Sequence, residues 1–267
     1  MALLPLLIAS SLLTDPLASL NKDDRTAIQM LGERIIVDGV EIDPVVRASD
    51  WLPLQPSSFT YTRTDGTNAG QQETISILGT SRVPGAPVGS HTAGWSQKDP
   101  KSWTRYLNVT DHGIHVPTSL NVPNAVISTF EPAEPLILAG IAVGESVKTT
   151  LSVKVFDIND PTVVAHSGTL DVVYKDLGGF KVTVPAGTFD TRLIKITYNG
   201  SIGPASVSDS AWVFYAKGVG PVAFVNYKDV SAFLIYNKDT RYGAVLESYD
   251  PSTPTTATSK PATSPPK

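Results

Sequence analysis

The stretch at residues 180–222 constrains the fold of this chain more than any other. Apolar and polar residues alternate over 180–184 and again over 194–198, with the period of two that is typical of a half-buried strand. An aromatic run at 212–215 follows, and no helical period appears between these segments. Because short connections join them, we expect neighbouring antiparallel strands that pair in sequence order.

Turn-forming residues separate these strands. Proline has no N–H to donate to a sheet, whereas glycine and asparagine tolerate the positive φ that tight turns require. The sequence therefore predicts three turns, formed by Pro185 and Gly187, by Asn199 and Gly200, and by Gly218 and Gly220.

The turn at 184–189, together with the aromatic strand at 212–222, resembles a motif of an uncharacterised family of bacterial extracytoplasmic β proteins. The segment at 50–54, which leads into 59–61, is similar to the way such envelope proteins open their first strand. That family resembles the periplasmic lipoprotein carriers. The resemblance implies a mainly β fold, with a curved antiparallel sheet or open half-barrel around an apolar cavity, and a periplasmic or secreted location.

The first fifty residues predict an N-terminal appendage. The apolar run at 2–13 has the length of a signal-peptide core, and it also fits a short helix packed on the body. The acidic residues Asp23 and Asp24 precede a short apolar segment and predict a helix start. A small hairpin is expected on the turn at Asp38 and Gly39.

Residues 51–249 predict one antiparallel β domain with two long interruptions. The region 82–100 is rich in Gly, Pro and Ser and predicts a loop, and 132–144 predicts a connection with an apolar patch. Beyond it, 250–267 consists mostly of Pro, Ser, Thr, Ala and Lys. Such a composition cannot bury a core, so this tail is expected to be disordered.

Charge, cysteine content and the length of the apolar run at the N-terminus exclude several kinds of partner, chemical site and membrane attachment. The net charge is −4 and the pI about 5.5, without a run of Lys or Arg, so we expect no nucleic-acid partner. The chain has no cysteine, which excludes disulfides, cysteine nucleophiles and Cys-based metal sites. The apolar run at 2–13 is shorter than the ~20 residues that a helix needs to cross a bilayer, so no transmembrane span is expected.

Catalytic motifs are missing from the sequence. His112 and His115 form the only close histidine pair, but residues three apart on a strand face opposite sides, and no third ligand stands out. We therefore predict no metal, no cofactor and no catalytic residue. The alternative is a hydrolase or metal-dependent enzyme, in which a histidine meets a carboxylate in a cleft; the histidines available are His91, His112, His115 and His166.

Six aromatic residues are the candidate ligand-binding residues, because large rings line apolar cavities as readily as they fill cores. They are Trp51, Tyr61, Trp103, Trp212, Phe214 and Tyr215. The leading hypothesis is a non-enzymatic envelope or secreted protein that binds an apolar small molecule or lipid, or a protein partner, on a curved sheet. The alternative is a structural or interaction module with a filled core.

Overall fold

The computed structural model describes residues 15–82, 93–232 and 236–251. The strands of this part follow one another along the chain and are joined mostly by short turns. They are β1 (Ile36–Val40), β2 (Ser57–Gly66), β3 (Gln72–Arg82), β4 (Ala93–Asp99), β5 (Trp103–Thr110), β6 (Gly113–Asn121), β7 (Val126–Leu138), β8 (Ser146–Asp157), β9 (Asp160–Val184), β10 (Gly187–Ile202), β11 (Ala205–Ala216), β12 (Gly220–Ala232) and β13 (Tyr236–Asp250).

The sheet is a closed antiparallel barrel of the twelve described strands β2 to β13. Each strand pairs with its neighbours in the chain, as predicted, and β13 then pairs with β2, with Tyr249 opposite Phe59. The predicted open half-barrel is therefore wrong. Pairing the first strand with the last satisfies the backbone N–H and C=O groups that two free edges would leave exposed.

The three segments predicted as turns differ in the structure. Chain reversals lie between β9 and β10, after Pro185, and between β11 and β12, at Gly218. At Asn199 and Gly200 the strand β10 continues instead to Ile202. A Cβ at Gly200 would lie 2.1 Å from the carbonyl oxygen of Thr169 on β9, so this glycine allows two strands to approach closely.

The predicted long interruptions of the β domain are partly strands. In the region 82–100, residues 93–99 form β4, and 83–92 lie outside the described residues. The connection predicted at 132–144 begins inside β7, which runs through Pro132 and Pro135. The register between β6 and β7 shifts at this point, so Pro132 occupies a gap in the ladder where no N–H is required.

The N-terminal segment lies against the outside of the barrel. It contains the helix α1 (Lys22–Ile28), two short 3₁₀ turns and β1, which pairs with the end of β9 as a single strand instead of the predicted hairpin. Ile28 and Leu31 are buried in the same apolar cluster as the strands. The hydroxyl of Thr64 on β2 donates to the carbonyl of Met30 at 2.7 Å.

None of the helices in the described ranges is both long and apolar enough to cross a membrane. The apolar run at 2–13 and the tail beyond 251, on which the signal-peptide and disorder predictions fall, lie outside the described residues.

Candidate ligand site inside the barrel

A cavity of about 120 Å³ lies inside the barrel, among side chains that point inward from successive strands. Successive side chains of a strand point to opposite faces, which explains which residues line the cavity. Ala211, Val213 and Tyr215 of β11 line it, so Trp212 and Phe214 between them point to the outside. The residues that line it are Tyr61, Glu73, Ile75, Gln97, Asp99, Trp103, Arg105, Leu136, Ile196, Tyr198, Ala211, Val213, Tyr215, Pro221, Phe224, Asn226 and Tyr242.

Aromatic rings hold one another in place along one part of this wall. The ring of Phe224 contacts Tyr61 edge-on, with centroids 5.1 Å apart, and contacts Tyr242 at 6.1 Å. The hydroxyl of Tyr61 donates to the carbonyl of Pro221 at 2.8 Å. The buried rings therefore present a rigid apolar surface whose polar atoms are already bonded.

Most charged groups near the cavity are paired. Arg63 contacts Glu73 at 2.9 Å and lies over the ring of Tyr242, 3.8 Å from its centroid. The hydroxyl of Tyr198 donates to Glu134 at 2.6 Å. These bonds compensate the carboxylates of Glu73 and Glu134 and fix the side chains that carry them.

Arg105 differs from these groups. Its guanidinium lies over the ring of Trp103, 4.9 Å from the centroid, and has no hydrogen bond or ion pair with any described residue. Gln97 stands directly opposite on β4, is 7% exposed, and its Oε1 has no donor within the described chain. A guanidinium without a hydrogen bond and an amide oxygen without a donor therefore lie on neighbouring strands of the cavity wall.

Burial determines the ionisation of the cavity. It raises the pKa of Tyr61, Tyr198 and Tyr215, so their hydroxyls stay protonated at neutral pH. Burial alone would lower the pKa of Arg105, but the carboxylate of Glu134 and nearby tyrosines outweigh it, and the pKa is raised. Arg105 is therefore a permanent cation beside neutral hydroxyls.

The structure brings three of the six predicted ligand-binding residues together and separates the other three. Tyr61, Trp103 and Tyr215 line the cavity. Trp51 lies in the segment before β2, within the apolar cluster. Trp212 and Phe214 occupy the outer face of β11, where Trp212 bonds to Asp24 of α1 and Phe214 contacts Phe180.

Sequence reasoning missed the polar residues of the site, above all Gln97 and Arg105. Gln97 falls in the region predicted as a loop, and Arg105 lies in a strand that reads as half-exposed. The only signal was that Arg105 lies two residues after Trp103 and therefore on the same face of β5, and this signal reaches Gln97 only through its pairing with Arg105. That signal requires the pairing of β4 with β5, which brings residues eight apart into contact.

The described histidines form no catalytic arrangement. In the described ranges, no three His, Asp or Glu side chains come together as ligands for a metal ion, and His112, His115 and His166 form no ion pair with a carboxylate. His91 lies outside these ranges, so the histidine-based enzyme hypothesis was tested at three positions only.

His115 should titrate below the ordinary histidine value of 6.5. Burial lowers its pKa; a backbone interaction at Gly113 opposes this, and His112 adds to it. Because the unfolded chain then binds a proton more readily, the free energy of unfolding should fall as the pH drops below 6.5 and level off below the folded pKa. An NMR titration of the His115 ring measures this, and a pKa at or above 6.5 would contradict it.

Comparisons with known proteins give only distant similarity. No protein-family model and no curated protein matches the chain. Among solved structures, it is similar to a Bacteroides fragilis protein named as an exported protein with a YmcC-like fold, at 14% identity and a TM-score of 0.39, over 73% of this chain and 94% of that one. A Parabacteroides distasonis protein named as a lipoprotein is 10% identical, with a TM-score of 0.33, over 79% and 100%. These values are too low to transfer a function, so the function is argued from the residues themselves.

Proposed function

We propose that this protein is a non-enzymatic binding protein whose ligand, a small and largely apolar molecule, lies inside the barrel. The observation that carries the proposal is the cavity of about 120 Å³ with a wall of aromatic rings and a few convergent polar groups. Binding sites for small molecules have this composition. A dry cavity of roughly 150 Å³ in another protein accommodates benzene, which sets the scale of the ligand.

The size of the cavity favours a small molecule over a lipid. Pockets that take drug-sized ligands measure roughly 300–1,000 Å³, well above the volume here. The outside of the sheet is a weaker candidate surface, because its aromatic residues are already buried: Trp212 bonds to Asp24 of α1, and Phe214 packs against Phe180 of β9. The proposal therefore keeps the ligand on the concave side of the sheet, which in the closed barrel is the interior.

The periplasmic or secreted location and the kinship with the lipoprotein carriers are part of the same proposal. Their support is in the sequence: the apolar run at 2–13 and the turn at 184–189. The modest cavity volume also favours the second candidate, a structural or interaction module with an essentially filled core. That candidate predicts a protein that binds no small molecule in its interior.

Filling the cavity should abolish binding. Ala211→Phe places a ring in the space that Ala211 lines, so the affinity for fluorobenzene, followed by ¹⁹F NMR, should fall at least about tenfold. Native mass spectrometry of the purified wild-type protein should also detect a bound small molecule.

The matched control is Thr197→Phe. Thr197 lies on β10 between Ile196 and Tyr198, which both line the cavity, so it faces outward and the added ring leaves the interior unchanged. Circular dichroism checks that both variants fold. Wild-type protein that does not bind fluorobenzene, or Ala211→Phe that binds it as tightly as Thr197→Phe does, would contradict the proposal and favour the filled-core module.

A further inference from the structure

Arg105 is a half-buried cation on the cavity wall that forms no ion pair with a described residue. The other charged groups of the cavity wall have partners: Glu73 bonds to Arg63 at 2.9 Å, and Asp99 accepts the backbone N–H of Lys101 at 3.0 Å within its turn. Glu134 accepts a hydrogen bond from the hydroxyl of Tyr198 and forms no ion pair with Arg105 within the described chain. Removing a charge even partly from water costs free energy unless the charge is bonded. The position of Arg105 on the cavity wall therefore calls for a physical explanation.

The geometry around Arg105 leaves its donors free toward the cavity. The ring of Trp103 contacts the guanidinium at 4.9 Å and supports it without using its N–H groups. Two further residues line the same space: Gln97, opposite Arg105 in the ladder, whose Oε1 has no donor among the described residues, and Tyr215, which presents its hydroxyl.

We propose that the ligand carries a carboxylate, which the guanidinium of Arg105 binds, while the apolar body of the ligand lies against the aromatic wall near Phe224. A guanidinium offers two parallel N–H donors that match the two oxygens of a carboxylate. Burial raises the pKa of Tyr215, so its hydroxyl stays protonated. Tyr215 lies on β11, across the barrel from β5, and its hydroxyl supplies a neutral donor from that side. This inference rests on the proposed function and names the chemical class of its ligand.

The single guanidinium of Arg105, which forms no ion pair with a described residue, matches a monoanion better than a dianion. A phosphate monoester carries about −1.5 to −2 charges at neutral pH and would bring excess negative charge beside Glu134, which already acts on Arg105. A cationic ligand would be repelled by Arg105 at short distance. A small carboxylic acid with an aromatic or branched apolar body therefore fits both the charge and the volume of the cavity.

The test compares three probes of the same shape by ¹⁹F NMR: 4-fluorobenzoate, 4-fluorobenzamide and 4-fluorobenzylamine. The wild-type protein should bind the benzoate about tenfold more tightly than the benzamide, because its hydrogen bonds are charge-assisted, and the benzylamine most weakly. Arg105→Met should remove this preference, because it weakens the charge-assisted binding of the benzoate more than the binding of the neutral benzamide. Arg105→Lys should restore part of it, since lysine keeps the charge without the fork.

The outcomes separate this inference from the proposed function. If none of the probes and no fluorobenzene binds, both fail. If the benzamide binds as tightly as the benzoate, or the benzylamine binds best, the interior is a binding site but the carboxylate assignment is overturned. Arg105→Met removes no bonded partner and keeps the length of the side chain, so it should fold; if it does not, the reduced preference in Arg105→Lys gives the second test, and an undiminished preference there overturns the inference.

Discussion

Replacing Arg192 by methionine should lower the free energy of unfolding by about 4 kcal/mol, the largest effect that we expect from a single substitution. Arg192 and Asp176 are each 1% exposed and form an ion pair between β10 and β9. Arg192 also donates to the carbonyl of Asp43 at 2.7 Å, which fastens the N-terminal segment to the barrel. The substitution would leave a buried carboxylate with only the N–H of Gly178 as a partner.

The control lies on the same two strands. Lys181 and Asp190 form a pair at 2.5 Å whose side chains are 39% and 59% exposed, so Lys181→Ala should change stability by no more than about 0.5 kcal/mol. Urea denaturation measures both variants. The double variant Arg192→Met with Asp176→Leu should be more stable than Arg192→Met alone, because it leaves no unpaired charge; a double variant that is less stable would show that the pair does not act through desolvation.

Replacing Asp24 by alanine should lower the free energy of unfolding by about 3 kcal/mol. Asp24 is 1% exposed, and its Oδ1 accepts from the Nζ of Lys195 at 2.6 Å and from the indole N–H of Trp212 at 2.8 Å. Its Oδ2 accepts from Asn21, the residue that caps α1, at 2.7 Å. The substitution would remove the acceptor for all three donors and loosen α1 from the barrel.

Asp23→Ala is the matched control, because Asp23 is the exposed neighbour in the same helical turn. It should cost less than about 1 kcal/mol, through the helix dipole alone. Thermal denaturation should show the difference, and hydrogen exchange should show faster exchange of the α1 amides in Asp24→Ala only. Equal stability of the two variants would mean that α1 contributes little to holding the segment on the barrel.

Part of the candidate site could be predicted from the sequence. The rest depends on which strands pair with each other. Tyr61, Trp103 and Tyr215 were recognisable as large rings on strands of a β domain. Gln97 and Arg105 were not recognisable, because their contact exists only once β4 pairs with β5. The cavity that these two residues face exists only in the closed barrel, so the sequence of a single strand cannot predict it.

The sequence alone determined that this chain forms successive antiparallel strands, because alternation and turn residues act locally, between neighbours in the chain. The tertiary structure decided the closure of β13 on β2 and which side of each strand faces the interior. On β11 both faces are apolar and buried: Trp212 lies against α1, Phe214 packs against Phe180 of β9, and Tyr215 lies inside the barrel. A period of two distinguishes the two faces of a strand, but when both are covered only the packing of distant segments determines which one meets a ligand.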